Sequence, residues 1–308
     1  MIMLSRVAAS TYWMARYLER AEDTARLVNV NSNLLLDLPG KVQLGWEPLL
    51  DIMNRRKDFS KSYGESSEKN VIKYLVSDLN NMSSILSSIS IARENLRTIR
   101  DIMPRDTWEV VNRLYQKAND FSSHAASRTK RYDYLMGIIF DIQGITGNLS
   151  GTMTHDEAYQ FLRIGRNLER ADMTSRILDV QSASLLTDLP ENMIPFQNIQ
   201  WVSVLKSMSA YQMYRKGMRI GVRRPEVIRF LLQEELFPRS FIHCLKEINE
   251  CMTILPKNDK ISKYLSSYIS NVKKGKPDKL NQEELHDFID SLQRGLIWLN
   301  EQIHEAYF

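Results

Sequence analysis

The strongest constraint on the fold is an internal repeat, in which the second copy begins 150 residues after the first. Residues 16–36 and 166–186 both open with Arg-x-Leu-Glu-Arg-Ala and continue with a similar order of apolar and polar residues. A repeat of this length matches a small domain rather than the unit of a solenoid. We therefore expect two tandem similar halves, residues 1–152 and 153–308. Because no Pro/Gly/Ser-rich linker separates them, we expect the halves to be fused into one body.

The rest of the sequence predicts an all-α protein, a helical bundle made of these two halves. Weaker similarities follow the repeat in the same order in both halves. Trp46 corresponds to Trp201, and residues 71–75 correspond to residues 227–231. Glycine and proline are scarce, at 12 and 9 residues, and apolar residues recur every three to four positions, which is typical of helices. The predicted helices cover residues 5–36, 46–57, 71–102, 105–120, 123–151, 155–187, 199–214, 225–236, 239–255, 258–273 and 282–306.

Composition excludes several classes of protein. With 43% hydrophobic and 25% charged residues, the chain can bury a core without help. No apolar run approaches the roughly 20 residues that span a bilayer, and residues 1–8 lack the pattern of a signal peptide. We therefore expect a cytoplasmic protein without membrane contact. The net charge of +4 is spread along the chain, which disfavours nucleic-acid binding.

The repeated helix carries its charged residues inside an expected apolar contact. At about 100° per residue, one face of the first copy is an apolar stripe, and Tyr12, Leu27 and Val30 make the opposite side apolar as well. The charged residues between them form the repeated set Arg16, Glu19, Arg20 and Arg26 in the first half and Arg166, Glu169, Arg170 and Arg176 in the second. Asp23 lies on the same side but corresponds to Met173, so it is not part of the repeated set.

Two interpretations of this charged set remain open at the level of sequence. In the first, the charges pair and lock the two halves together, because an unpaired buried charge is strongly unfavourable. Pairing within a helix, as between Arg16 and Glu19, and pairing between the halves both fit the spacing. In the second, Glu19, Glu169 and the arginines line a pocket for an anionic ligand, where arginine binds carboxylate or phosphate and glutamate serves as a base.

Three further arginines are candidates for binding an anion. They lie before or near predicted helix starts, where backbone amides and arginine side chains reinforce each other. For the basic run at residues 215–224, a solvated loop is the interpretation that we favour over an anion site. The candidates are Arg223, Arg224 and Arg239.

Metal and cofactor chemistry has little support in the sequence. Two Glu-x-x-His patterns, Glu283 to His286 and Glu301 to His304, resemble those that hold paired metal ions in helical bundles. Both lie on one predicted helix, about 27 Å apart at 1.5 Å per residue, so they cannot share a site. The sequence also lacks a phosphate-binding glycine-rich loop and a Gly-x-Ser-x-Gly motif. We therefore predict no metal site and no cofactor.

The chain resembles the bacterial alpha-E domain proteins, which are helical proteins with a Glu-Arg motif. The resemblance covers essentially the whole chain. One departure is Ala15, where the family usually has the glycine that this chain carries at Gly165. The segments that carry the resemblance are residues 3–8, residues 12–22, Ala92-Arg93-Glu94-Asn95, Trp108, Asn112-Arg113-Leu114-Tyr115, residues 161–166, Phe237-Pro238-Arg239-Ser240 and Tyr307-Phe308.

The resemblance implies partners rather than a defined reaction. Members of the family are linked by genomic association to ATP-grasp-type ligases and transglutaminase-like proteins. This implies an accessory protein that works with an ATP-grasp-type ligase in forming or modifying amide or peptide bonds. The alternatives are an enzyme that acts on a peptide-like or anionic substrate through the duplicated Glu-Arg clusters, and a structural scaffold that forms a homo-oligomer.

Overall fold

A computed structural model describes residues 3–37, 45–184, 194–218 and 221–308, and these residues form fourteen α-helices and no strand. The all-α prediction is therefore confirmed. The helices are Ser5–Asp37 (α1), Glu47–Ile52 (α2), Arg56–Tyr63 (α3), Glu68–Val76 (α4), Ile85–Thr98 (α5), Arg105–Asp120 (α6), Arg128–Thr152 (α7), Glu157–Ser184 (α8), Ile194–Ser207 (α9), Tyr211–Gly217 (α10), Arg224–Gln233 (α11), Phe241–Ile254 (α12), Asp259–Lys274 (α13) and Gln282–Tyr307 (α14).

Two predicted helices are each divided by one residue in the left-handed region. The prediction at 46–57 becomes α2 and α3, separated at Asn54, which has φ of 52°. The prediction at 199–214 becomes α9 and α10, separated at Ser209, which also has φ of 52°. A left-handed residue cannot continue a right-handed helix, so the chain turns at both points.

A third predicted helix, 71–102, is divided because a serine caps a new helix inside it. Helix α4 ends at Val76, and α5 begins after Ser84, whose Oγ accepts a hydrogen bond from the Ser87 amide at 3.1 Å. That bond satisfies one amide of the first turn, which has no partner within the helix. The end of the 155–187 prediction lies outside the described residues. The other predicted helices match the structure to within about five residues at each end.

Helices α1 and α8, which carry the two copies of the repeat, form the centre of the structure and make the most extensive contact between any two described helices. Helices α5 and α7 pack on α1, whereas α12 and α14 pack on α8. The two central helices meet most closely at Gly165, where a Cβ atom would lie 2.3 Å from the Tyr12 carbonyl oxygen. The corresponding residue of α1 is Ala15, which is buried with its methyl group in place.

One end of the central pair is covered by aromatic side chains from the end of α14. The Phe308 ring lies 5.2 Å from the Tyr12 ring and 5.9 Å from the Phe161 ring, measured between centroids. Edge and tilted arrangements at these distances are favourable for aromatic pairs. Within the part of the chain that the structure describes, no helix has both the length and the apolar character needed to cross a bilayer.

Candidate functional site

Glu169 on α8 is held by two arginines of α1. Arg16 Nε donates a hydrogen bond to Glu169 Oε2 at 2.7 Å, and Arg20 Nε donates to Glu169 Oε1 at 2.5 Å. Arg16 Nη1 also donates to Asn300 Oδ1 on α14 at 2.9 Å, and the Tyr12 hydroxyl donates to that oxygen at 2.6 Å. Glu169 is only 2% exposed, so this pairing lies in the interior. We call Glu169, Arg16 and Arg20 the Glu169 cluster.

Glu19 on α1 is held in turn by arginines of the second half. Arg170 Nε donates to Glu19 Oε1 at 2.7 Å, and Arg239 Nη2 lies 2.8 Å from the same oxygen. Arg239 also donates to Glu22 Oε1 and to Asp23 Oδ1, both at 2.7 Å. The central glutamates of the repeat therefore pair with arginines of the other half. Arg16 does not pair with Glu19 along α1. The Glu19 cluster consists of Glu19, Glu22, Asp23, Arg26, Arg170 and Arg239.

Arg239 reaches this cluster because of where α12 begins. It precedes Ser240, the N-cap residue of α12, and its own carbonyl accepts a hydrogen bond from Thr174 Oγ1 on α8 at 2.9 Å. The sequence suggested a surface anion site at this helix start, but Arg239 is only 6% exposed. Its partners are the three carboxyl groups of α1, so Arg239 ties the start of α12 to the central pair. A guanidinium suits this role because its five N–H donors are held in a fixed plane.

The remaining repeated arginines, Arg26 and Arg176, pair one turn back along their own helices. Arg26 Nη2 donates to Glu22 Oε1 at 2.5 Å, and Arg176 Nε donates to Asp172 Oδ1 at 2.9 Å. Glu22 also accepts a hydrogen bond from Gln143 Nε2 of α7 at 3.0 Å. Glu22 and Asp172, each four residues before its arginine, therefore occupy equivalent positions in the repeat. The sequence argument did not include them.

The arginines set the protonation state of the two central glutamates. Burial opposes ionisation of Glu169, but Arg20 and Arg16 overcome it and lower its pKa to about 2. Burial also opposes ionisation of Glu19, whose pKa is nevertheless lowered by Arg170 and Arg239. Both carboxylates are therefore ionised at neutral pH.

Asp23 behaves in the opposite way. Burial raises its pKa to about 8, and the charges of Glu19 and Glu22 add to this effect, while Arg239 opposes it. Its Oδ2 atom is buried and has no hydrogen-bond partner among the described residues. Asp23 is therefore the carboxyl group of the cluster that is most readily protonated.

Arg166 has no such partner, although it corresponds to Arg16. Among the described residues it forms no ion pair, and its Nε atom is buried without a hydrogen bond. Burial lowers its pKa and the neighbouring Arg170 lowers it further, whereas Glu19 opposes both effects. The second arginine partner of Glu19 is therefore Arg239 rather than Arg166.

A polar cavity of about 190 Å³ opens beside the Glu169 cluster. It lies between α1, α8, the turn that joins α2 to α3, and the segment before α5. Glu169 is the only central glutamate on its wall among the described residues. The cavity is lined by Arg20, Ile52, Met53, Asn54, Arg55, Ser83, Glu169, Asp172, Met173 and Arg176.

The residues that precede two helix caps explain why the space beside Glu169 is larger than the pocket of about 10 Å³ beside Glu19. Ser83 precedes Ser84, the N-cap residue of α5, just as Arg239 precedes Ser240, the N-cap residue of α12. The buried guanidinium next to Glu19 therefore has only a serine hydroxyl as its counterpart next to Glu169. Met173, the counterpart of Asp23, also lines this space.

The two other arginine candidates lie away from both clusters. Arg224 begins α11, and its Nη1 atom donates a hydrogen bond to the Leu280 carbonyl at 3.0 Å. Arg223, the residue before it, is exposed. The structure thus brings seven of the eight repeated residues into paired contacts, with Arg166 as the exception, and adds Arg239 from the second group of candidates.

Sequence reasoning missed the residues that differ between the halves. Ser83 and Arg55 line the cavity, and Asn300 and Tyr12 complete the surroundings of Arg16, but none of them lies within the repeated motif. Ser83 could have been found by aligning the two capping serines, Ser84 and Ser240. This alignment places Ser83 at the position of Arg239. The described residues contain no group of three or more His, Cys, Asp or Glu side chains placed to hold a metal ion.

Comparison with known proteins identifies the family of the chain. No curated protein and no solved structure matches this chain. Residues 3–308 match the model of the Alpha-E family, which is described as a predicted alpha-helical domain with a conserved ER motif. The Glu-Arg pairs Glu19-Arg20 and Glu169-Arg170 lie at the centre of the fold described above. Along almost its whole length, the chain therefore belongs to the Alpha-E family.

Proposed function

We propose that this protein is a cytoplasmic accessory subunit of an ATP-grasp-type ligase, for which it presents an anionic, peptide-like substrate for amide bond formation or modification. The observation that carries the proposal is that the two central glutamates, Glu19 and Glu169, are paired with arginines inside the core. Beside them lies a polar cavity lined by three arginines. Binding without catalysis by the chain itself accounts for both features. The family resemblance supports the choice of partner.

The acid-base properties of the clusters favour this role over an enzymatic one. A general base works best when its pKa lies near the operating pH. Glu169 is the central glutamate that reaches the cavity, and its pKa of about 2 makes it a weak base. Asp23 has a pKa of about 8 but is only 1% exposed and does not line the cavity. The chemistry is therefore assigned to the partner.

Co-purification tests the partnership. The affinity tag belongs at the N-terminus, since Phe308 packs against Tyr12 and Phe161. From a native extract, we expect the chain to recover a ligase of the ATP-grasp type, and we expect amide formation by that ligase to depend on the chain. Repeated purification without a ligase, or a ligase whose rate is unchanged when the chain is removed, contradicts the proposal.

We further propose that the two halves share one helical arrangement. Asn54 and Ser209 break the chain at corresponding points with the same φ of 52°, and Ser84 and Ser240 cap corresponding helices. If so, replacing either capping serine by alanine should cost about 1 kcal/mol of unfolding free energy. Denaturant unfolding of the two variants measures this, and a cost confined to one half contradicts a shared arrangement.

A further inference from the structure

The cavity beside Glu169 occupies the place that an arginine fills in the other half. Arg239 lies against Glu19, Glu22 and Asp23, whereas the corresponding residue Ser83 lines the cavity with a much shorter side chain. A polar space of about 190 Å³ is large enough for a small ligand. The chemistry of the walls indicates what kind of occupant it is.

The charges around the cavity are not balanced. Arg16 and Arg20 share the single carboxylate of Glu169, whereas Arg176 has Asp172 to itself. Arg55 has only a long contact of 3.3 Å to Asp58, which is half exposed. Three arginines therefore line the cavity together with two carboxylates, Glu169 and Asp172, and the surplus positive charge favours an anion.

The same arginines have hydrogen-bond donors without an acceptor among the described residues. Arg176 donates only through Nε, so its two Nη groups have no acceptor among the described residues. The Arg55 Nε atom is buried without a partner, while its Nη2 atom donates to Ser83 Oγ at 3.1 Å. Arg20 uses Nε and Nη2 on Glu169 and keeps Nη1 free of protein acceptors. An oxyanion accepts bonds from several such donors at once.

Part of the cavity wall is apolar. Ile52 and Met53 come from the end of α2, and Met173 comes from α8. These side chains cannot pair with a charge, but they can pack against a short aliphatic chain. The cavity therefore combines one charged region with one apolar region.

We propose that this cavity is a binding site for a small oxyanion, a carboxylate or phosphate group carried on a short aliphatic body, held by Arg55, Arg176 and Arg20. The site deepens the proposed function, because it rests on the substrate-presenting part of that function and names where the acidic group of the substrate binds. Glu169 takes part only by fixing Arg20 in place. In the other half, the corresponding space holds the guanidinium group of Arg239, which is planar and charged.

Calorimetric titration of the full-length chain tests the site, with inorganic phosphate and glutarate as separate probes. We expect at least one probe to bind, and a phosphate-only or glutarate-only result supports the site and identifies its acidic group. Replacing Arg55→Ala should weaken binding about tenfold or more, because a charge-assisted bond is lost. The matched control is Arg56→Ala, since Arg56 is adjacent but exposed, pairs with Asp51, and does not line the cavity.

A second variant, Ser83→Arg, places an arginine where the other half has Arg239 and should abolish binding by filling the cavity. If this variant does not fold, Arg55→Ala against Arg56→Ala decides the question alone. The site is overturned if neither probe binds at roughly 10 mM, or if Arg55→Ala and Arg56→Ala bind equally well. These outcomes are separate from co-purification, so the site and the ligase partnership can fail independently.

Discussion

The Glu19 and Glu169 clusters are built from the same repeated motif, but their positive charges come from different places. Glu169 takes both of its arginines, Arg16 and Arg20, from the facing helix. Glu19 takes one from the facing helix, Arg170, and one from the start of α12, Arg239. As a result Arg166 is left unpaired on one side, and a cavity remains on the other.

This difference shows how two copies of one sequence motif can have different surroundings. Each central glutamate still has two arginine partners, so the buried charge is stabilised in both halves. Glu19 has one arginine partner from the start of α12, whereas both partners of Glu169 come from α1. Space therefore remains beside Glu169, although its carboxylate stays buried. The symmetric part of the arrangement stabilises the fold, and the asymmetric part provides the candidate ligand site.

The largest expected effect comes from removing the arginine that is present on one side only. Arg239→Ala leaves three buried carboxylates without their shared partner, and we expect it to cost about 3 to 5 kcal/mol of unfolding free energy. The control is Arg223→Ala on the exposed segment before α11, which should change stability by less than about 0.5 kcal/mol. Denaturant unfolding measures both variants, and similar losses would show that Arg239 does not hold the cluster.

The next largest effect separates the two corresponding arginines of the repeat. Arg16→Met removes one of the two arginines that pair with the buried Glu169, so we expect a loss of about 3 kcal/mol. Arg166→Met removes a charge that has no ion pair and whose Nε is unpartnered, so we expect a change of less than about 1 kcal/mol or a gain. Comparing the two by chemical unfolding tests the asymmetry directly, and equal losses would refute it.

A smaller effect distinguishes the two small residues where the central helices meet. A methyl group at Gly165 would collide with the Tyr12 carbonyl, so Gly165→Ala should cost about 1 to 3 kcal/mol despite the better helix propensity of alanine. Ala15→Gly should cost about 1 kcal/mol through helix propensity alone. A stabilised Gly165→Ala variant in a thermal melt would show that the approach is looser than described.

The last comparison concerns the pH dependence of stability, because the pKa values of Asp23 and Glu169 are shifted in opposite directions. Because Asp23 has a raised pKa of about 8, the folded state keeps a proton that the unfolded state loses above about pH 4, so its contribution to stability falls as the pH rises from about 4 to 8. For Glu169, with a lowered pKa of about 2, the contribution is complete above about pH 4.5 and is lost as the pH falls toward 2.

Unfolding curves of Asp23→Asn across this range test the assignment. The slope between pH 4 and 8, at most about 1.4 kcal/mol per pH unit for one group, should become smaller in the variant, whereas the loss of stability below pH 4.5 should persist. A slope that is the same in both proteins would place the titrating group elsewhere.

Much of the fold could be predicted because long amphipathic helices reveal themselves through their periodicity. The breaks were less visible, since Asn54 and Ser209 turn the chain through backbone angles that sequence periodicity does not encode. Ser84 stands in a run of polar and small residues, where the capping serine cannot be distinguished from its neighbours by residue type alone.

The candidate site was only half predictable, for a geometric reason. Spacing along a helix shows which charged residues share a face, so Arg16, Glu19, Arg20 and their counterparts could be grouped. It does not show which helix lies opposite, so pairing between the halves could not be separated from pairing within a helix. Arg239 lies far from Glu19 in sequence, and only the position of α12 brings them together.

The pairing of each glutamate with arginines from the other half has a consequence for biosynthesis. Glu19 is translated early, but its partner Arg239 follows 220 residues later, which is on the order of 10 to 40 s at typical rates of elongation. During this interval α1 carries carboxylates that cannot yet be buried at low cost. Nascent chains should therefore complete the core only near the end of translation, and a ribosome stalled at residue 152 should display a loosely folded, chaperone-accessible first half.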